Sequence, residues 1–179
     1  MLAERETSLL PRLPAHACAA LVLLLLLCVA GHAAPAKINL DTFDAQKKTV
    51  TLANGQVLAY VPMGNPQGTP VVLIHGYTDN ARDWVPLVPY LAPQFRLILV
   101  DIRGHGRSGK PECCYTRLDF AYDIKLLLDA LHIERADIVG HSLGSIIAQT
   151  FAEFWPQRTR RVVLIASSGG HRAGTSGEQ

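Results

Sequence analysis

Four short apolar runs constrain this chain most: Val71–Val72–Leu73–Ile74, Leu97–Ile98–Leu99–Val100, Ile138–Val139 and Val162–Val163–Leu164–Ile165. A strand with one wet face alternates polar and apolar residues. A run that is apolar at every position predicts a strand buried on both faces, as in a parallel sheet covered by helices. The segments between the runs read as helical. One surrounds Trp84–Val85–Pro86–Leu87; a second carries Phe120, Ile124, Leu127, Leu128 and Leu131 on one face; a third carries Ile146, Ile147, Phe151 and Phe154 and ends at Pro156. Upstream, Thr49–Leu52 and Val57–Tyr60 flank Asn54–Gly55, a pair that tolerates the positive φ of a type I′ hairpin turn. An N-terminal antiparallel hairpin followed by βαβ units predicts an α/β fold with a mostly parallel sheet and right-handed crossovers. Ligands of such sheets bind beyond the carboxyl ends of the strands, so the residues after each run hold the chemistry.

The strongest of these segments is Gly140–His141–Ser142–Leu143–Gly144, which follows Ile138–Val139 and opens the Ile146–Ile147 helix. A serine on a sharp strand-to-helix turn has its hydroxyl exposed above the sheet, and the flanking glycines allow strand and helix to approach. The helix N-terminus places partial positive charge where an oxyanion would develop. After Ile74 comes His75–Gly76–Tyr77, where a glycine lets the backbone come close to a substrate. The backbone N–H groups of Tyr77 and Leu143 can then converge on one oxygen. After Val100 comes Asp101–Ile102–Arg103–Gly104–His105–Gly106–Arg107–Ser108. Asp101, His105 and Ser108 tempt one to see a local triad, but a triad is assembled from separate segments. This loop is read as structural, braced by an Asp101–Arg103 pair.

These three segments, in this order and spacing, resemble the α/β-hydrolase superfamily over roughly residues 47 to 170, most closely its esterase, lactonase and haloperoxidase-like members. The resemblance implies Ser142 as nucleophile, the Tyr77 and Leu143 amides as oxyanion hole, and Gly140, His141 and Gly144 as the frame of the nucleophile elbow. Serine in place of aspartate speaks against the epoxide-hydrolase and haloalkane-dehalogenase branches. The resemblance implies no cofactor and no metal, which agrees with the absence of metal-ligand spacing in the sequence. The expected substrate is a small carboxylic ester, lactone or thioester. Tyr77, Trp84 and Trp155 are equally readable as pocket or core.

The family carries its triad in the order serine, acid, histidine. After Ser142 the only acids are Glu153 and Glu178, and the only histidine is His171. Glu153 lies too far along the elbow helix, about 16 Å from Ser142 at 1.5 Å per residue. His171 follows the last strand on the correct edge, but reads better as a coincidental loop histidine than as the base. His75, His105 and His141 belong to backbone-shaping motifs, and His132 ends a helix. The family's sheet is therefore expected to stop here after about its sixth strand. Val162–Ile165 would then be an apolar edge open to self-association. The alternative to an impaired hydrolase is a secreted, non-catalytic binding protein that kept the fold.

In the first 33 residues, Arg5 and Arg12 precede the run Ala19–Leu27, and Gly31, Ala33 and Ala34 follow. This fits a signal peptide cut after Ala33, since a membrane span needs about 20 apolar residues. Glu4 and Glu6 make its front end less basic than usual, which leaves an uncleaved anchor as the alternative. The mature protein is expected to be secreted or periplasmic, with 34–46 as linker, 47–170 as hydrolase core and 171–179 as disordered tail. Its net charge of +2, unchanged by losing the leader, gives no reason to expect nucleic acid or an anionic membrane as partner. Cys113 and Cys114 are adjacent, and read either as two loop thiols or as a vicinal disulfide.

Overall fold

In a computed structural model, residues 38–167 are described. The leader, residues 34–37 of the expected linker, His171 and the tail lie outside them. Among the described residues, no helix is long and apolar enough to cross a membrane.

The first described element lies within the stretch expected as linker. Residues 40–45, read from sequence as linker, form helix α1 (Leu40–Ala45), capped by the Asn39 side chain and seating Phe43 in the core with no exposed surface. One aromatic residue in a six-residue helix leaves no periodic signal in the sequence.

Strands β1 (Lys48–Thr51) and β2 (Val57–Gly64) form the antiparallel hairpin, with Thr49 opposite Ala59. Its turn is not type I′. Only Gly55 has positive φ (81°); the Gly55 N–H donates to Leu52 O, and the Leu52 N–H to Gln56 O. This is a three-residue turn closed by a glycine bulge. Asn54 stays at negative φ, and its side chain accepts from the Gln56 N–H and donates to Asp123.

Strands β3 (Thr69–Ile74), β4 (Phe95–Asp101), β5 (Ala136–His141) and β6 (Thr159–Ile165) complete one six-stranded sheet in the order β1-β2-β4-β3-β5-β6. The β4–β3, β3–β5 and β5–β6 pairings are parallel, and β2 joins β4 antiparallel. Residues 71–74 and 97–100 are all 5% exposed or less. Alternation sends Val72, Ile74, Ile98 and Val100 to one face and Val71, Leu73, Leu97 and Leu99 to the other.

The first face is covered by α3 (Arg117–Ala130) and α4 (Leu143–Phe154), which bury Phe120, Ile124, Leu127, Leu128, Ile147 and Phe151 against it. Each such side chain contributes about 1.5–3 kcal/mol of burial. Helix α3 begins with a reciprocal capping box: the Asp119 N–H donates to Thr116 Oγ1, and the Thr116 N–H to Asp119 Oδ2. Phe154, expected on the buried face of α4, is instead 54% exposed and lies against Trp155. The second face packs on Phe43, Ala81, Trp84 and Val88, supplied by α1, the 3₁₀ turn Ala81–Trp84 and the short helix α2 (Val88–Leu91). Among the described residues, strand β6 pairs with β5 alone, and Val163, Leu164 and Ile165 are exposed.

Candidate active site

The β5-to-α4 turn holds Ser142 at φ 51° and ψ −114°, a backbone conformation that L residues rarely adopt and that costs about 1–3 kcal/mol. The two glycines around it are dictated by contact. A Cβ on Gly140 would lie 2.0 Å from Gly144 O, and one on Gly144 would lie 2.1 Å from Ile74 O. Strand, helix and neighbouring strand therefore meet backbone to backbone, and this contact forces the sharp turn. Among the described residues, Ser142 hydrogen-bonds only through its own backbone atoms: its N–H donates to Ile165 O (2.9 Å), and its carbonyl accepts from the Ser145 N–H (2.9 Å) and Oγ (2.6 Å). The exposed Ser142 hydroxyl stands at the N-terminus of a twelve-residue helix with no acid in its first turn.

The loop after β3 comes against this turn. A Cβ on Gly76 would lie 3.4 Å from Ser142 Cβ. Neither the Tyr77 N–H nor the Leu143 N–H has a backbone acceptor among the described residues. Tyr77 and Leu143 line one open cavity of about 540 Å³ together with Gly104, His105, Tyr115 and Phe120. The cavity lies beyond the carboxyl ends of β3, β4 and β5. A larger cavity, about 690 Å³, lies at the opposite ends of the strands among Arg96, Arg135, Arg160 and Arg161. It holds no serine, threonine or cysteine and no residue of the three motif segments, whereas the smaller cavity is lined by Leu143, the residue after Ser142, and is the candidate site. Of the three aromatics left open by the sequence, Tyr77 lines the cavity, whereas Trp84 is core and Trp155 packs against it.

Each histidine near the site is bound into the fold. His75 is fully buried; its Nδ1 donates to Gly76 O (2.7 Å) and its Nε2 accepts from the Ile102 N–H (3.2 Å), joining the ends of β3 and β4. Burial, above all, holds its pKa below the usual imidazole value, in keeping with a neutral ring that both donates and accepts. His105 faces the Arg103 and Tyr77 carbonyls. His141 lies 3.0 Å from Asp83 through Nδ1, linking the elbow to the 3₁₀ turn.

The loop after β4 is structural, but its expected brace is corrected. Asp101 does not pair with Arg103. Asp101, fully buried, binds Lys47 Nζ (2.8 and 3.1 Å) and accepts from the Ala81 and Arg107 N–H groups, both at 2.8 Å. Arg103 instead turns to α3 and grips Asp123 with two 2.6 Å hydrogen bonds. Each charge finds an opposite one on a different element. Ser108 bridges backbone: its Oγ accepts from the Ala59 N–H and donates to Asp101 O.

Two cavity residues, Tyr115 and Phe120, carry no motif, and Gly104 belongs to the loop read as structural. Asp83, the partner of His141, is likewise unmarked in sequence. The Cys113 and Cys114 sulfurs are joined as a disulfide. Among the described residues, no group of three or more His, Cys, Asp or Glu side chains is arranged to hold a metal ion.

The family model for the alpha/beta hydrolase fold matches residues 69–176. A non-heme chloroperoxidase of Streptomyces lividans is 35% identical over 121 residues, covering 66% of this chain and 44% of that protein. A 2-(acetamidomethylene)succinate hydrolase of Mesorhizobium japonicum is 42% identical over 98 residues, covering 55% and 35% respectively. The solved structure of a hydrolase from Pseudomonas aeruginosa superposes with a TM-score of 0.65 at 34% identity, covering 68% of this chain and 46% of that one. The chain thus spans less than half the length of each of these three proteins.

Proposed function

The chain belongs to the α/β-hydrolase family, and from that premise we propose that the protein is a serine hydrolase that cleaves a carboxylic ester, lactone or thioester through an acyl-enzyme on Ser142. The observation that carries this reading is the strained Ser142, its hydroxyl exposed at the start of α4 beside two amides with no backbone acceptor. In the proposed step, Ser142 Oγ attacks the substrate carbonyl and gives its proton to a base. The Tyr77 and Leu143 N–H groups receive the oxyanion. The alcohol or thiol then leaves with a proton, and water cleaves the acyl-enzyme. The substrate is a small acyl compound that enters the cavity floored by Gly104 and Leu143, and no nucleic acid is involved. We also propose export through the leader, which would bring the enzyme to its substrate outside the cytoplasm.

Among residues 38–167 no base hydrogen-bonds to Ser142. His171 is the one histidine that follows Ser142 in the sequence. A fluorophosphonate probe followed by intact-protein mass spectrometry tests the reading. The expected result is slow labelling that Ser142→Ala abolishes, since the oxyanion hole and binding alone retain roughly 10³–10⁴ over water. Rapid labelling that His171→Ala slows by about 10² or more would make His171 the base. Labelling that survives Ser142→Ala sinks the proposal. A protein that never labels favours the non-catalytic binding reading.

A further inference from the structure

The loop from Pro111 to Thr116 holds a side-chain arrangement that the hydrolase reading leaves unused. Cys113 and Cys114 are joined by a disulfide, and both are exposed. Cys114 has φ 72°, in the left-handed region that a non-glycine residue seldom occupies. Outside the disulfide ring, its carbonyl accepts a hydrogen bond from Arg103 Nη1. The next residue, Tyr115, is a wall of the cavity. Its ring lies over Gly104, where a Cβ would stand 2.7 Å from Cε1; its centroid is 6.0 Å from that of Phe120; and its hydroxyl donates to Pro111 O (2.7 Å). Gly104, Phe120 and Tyr115 all line the cavity that Leu143 and Tyr77 share.

We propose that the Cys113–Cys114 disulfide is a reducible latch that seats Tyr115 in the wall of the candidate active-site cavity, and that a dithiol reductant opens it. One thiolate of the dithiol attacks a cysteine sulfur, the Cys113–Cys114 bond breaks, and a mixed disulfide forms. The second thiol resolves it. Two electrons and two protons end on Cys113 and Cys114 as thiols, and the reductant leaves as its own disulfide. With the ring open, nothing covalent holds Cys114 at positive φ. It relaxes to negative φ, its carbonyl turns away from Arg103, and Tyr115 leaves its seat on Gly104. The effect on acyl ligands rests on the reading of Ser142 as nucleophile; the latch itself does not.

The test uses the full chain purified without reductant. Maleimide adducts on the peptide holding Cys113 and Cys114 are expected only after dithiothreitol. Amide hydrogen exchange at Gly104 and Thr116, whose N–H groups donate to Gly109 O and Asp119 Oδ2, is expected to accelerate about tenfold or more on reduction, with Asp137–Val139 unchanged. The Cys113→Ser/Cys114→Ser variant should show the fast exchange without reductant, and its unchanged β5 amides verify folding. Two reactive thiols before reduction, or exchange at Gly104 and Thr116 that ignores the redox state, overturns the proposal. Fluorophosphonate labelling in both redox states separates the two readings: labelling at Ser142 that changes with reduction joins latch to chemistry. A chain that labels in neither state counts against the nucleophile, and the exchange result still decides the latch.

Discussion

Replacing Asp123 with alanine removes the one carboxylate that, among the described residues, accepts hydrogen bonds from Arg103. The two side chains are 2% and 6% exposed, and Asp123 accepts from Arg103 Nε and Nη2 and from Asn54 Nδ2 (3.0 Å). In the variant the guanidinium keeps one hydrogen bond, to Cys114 O. It has no escape through deprotonation, because arginine is never neutral in a folded protein; in the wild type the hydrogen bonds it donates to the Asp123 carboxylate hold its pKa further above the usual arginine value. An uncompensated buried charge of this kind costs about 3–5 kcal/mol, against a total stability of about 5–15 kcal/mol for an ordinary domain. Urea unfolding measures the loss as a lower midpoint at unchanged slope. Arg103→Ala combined with Asp123→Ala should recover part of it, with a coupling energy of about 2–3 kcal/mol. Arg103→Met with Asp123→Leu should return near to the wild type, since well-packed apolar pairs replace buried ion pairs at little net cost. An Asp123→Ala variant within about 1 kcal/mol of wild type would refute the reasoning, given what an unpaired buried charge costs. So would a stronger coupling of Arg103 to Asp101 than to Asp123.

Gly144→Ala drives a Cβ to 2.1 Å from Ile74 O and 2.8 Å from His75 O, backbone atoms that cannot rotate aside. It should destabilise by about 1–3 kcal/mol and abolish probe labelling at Ser142; unchanged labelling in a folded variant would contradict the packing account of the elbow. His75 binds a proton less readily folded than unfolded, so its contribution to stability is complete above the ordinary imidazole value of 6.5 and is lost as pH falls through it. The loss is at most about 1.4 kcal/mol per pH unit, continuing down to the folded-state pKa. Urea midpoints measured from pH 8 to pH 5 should show this slope in wild type and lose it in His75→Asn; parallel slopes would exclude His75 as its source.

What was legible in this sequence is what contiguous residues decide. The apolar runs name β3, β4, β5 and β6, and Gly140–Gly144 names the elbow, because strand, turn and helix follow one another along the chain. What was illegible is pairing across elements. His141 and Asp83 are 58 residues apart, and Arg103 and Asp123 are 20 apart; only the register of the sheet and the rotation of α3 bring them together. The hairpin at Asn54–Gly55 lies between these cases. The pair marks the reversal correctly, but the choice of turn went to Asn54's partners, Gln56 and a distant Asp123.

The same contrast separates structure from candidate chemistry among the polar residues. Asp101, His105 and Ser108 lie close in sequence and have the residue types of a triad. Yet Asp101 answers a lysine and two amides, His105 faces two carbonyls, and Ser108 spans two strands. A polar atom already satisfied by the fold must break a bond before it can act on a substrate. The Ser142 hydroxyl and the Tyr77 and Leu143 amides stand apart because the described fold gives them no such partner, although they sit among the most tightly packed backbone in the chain. Ser142 and Tyr77 are exposed, so a ligand can take the place of water on these groups without breaking any bond of the fold.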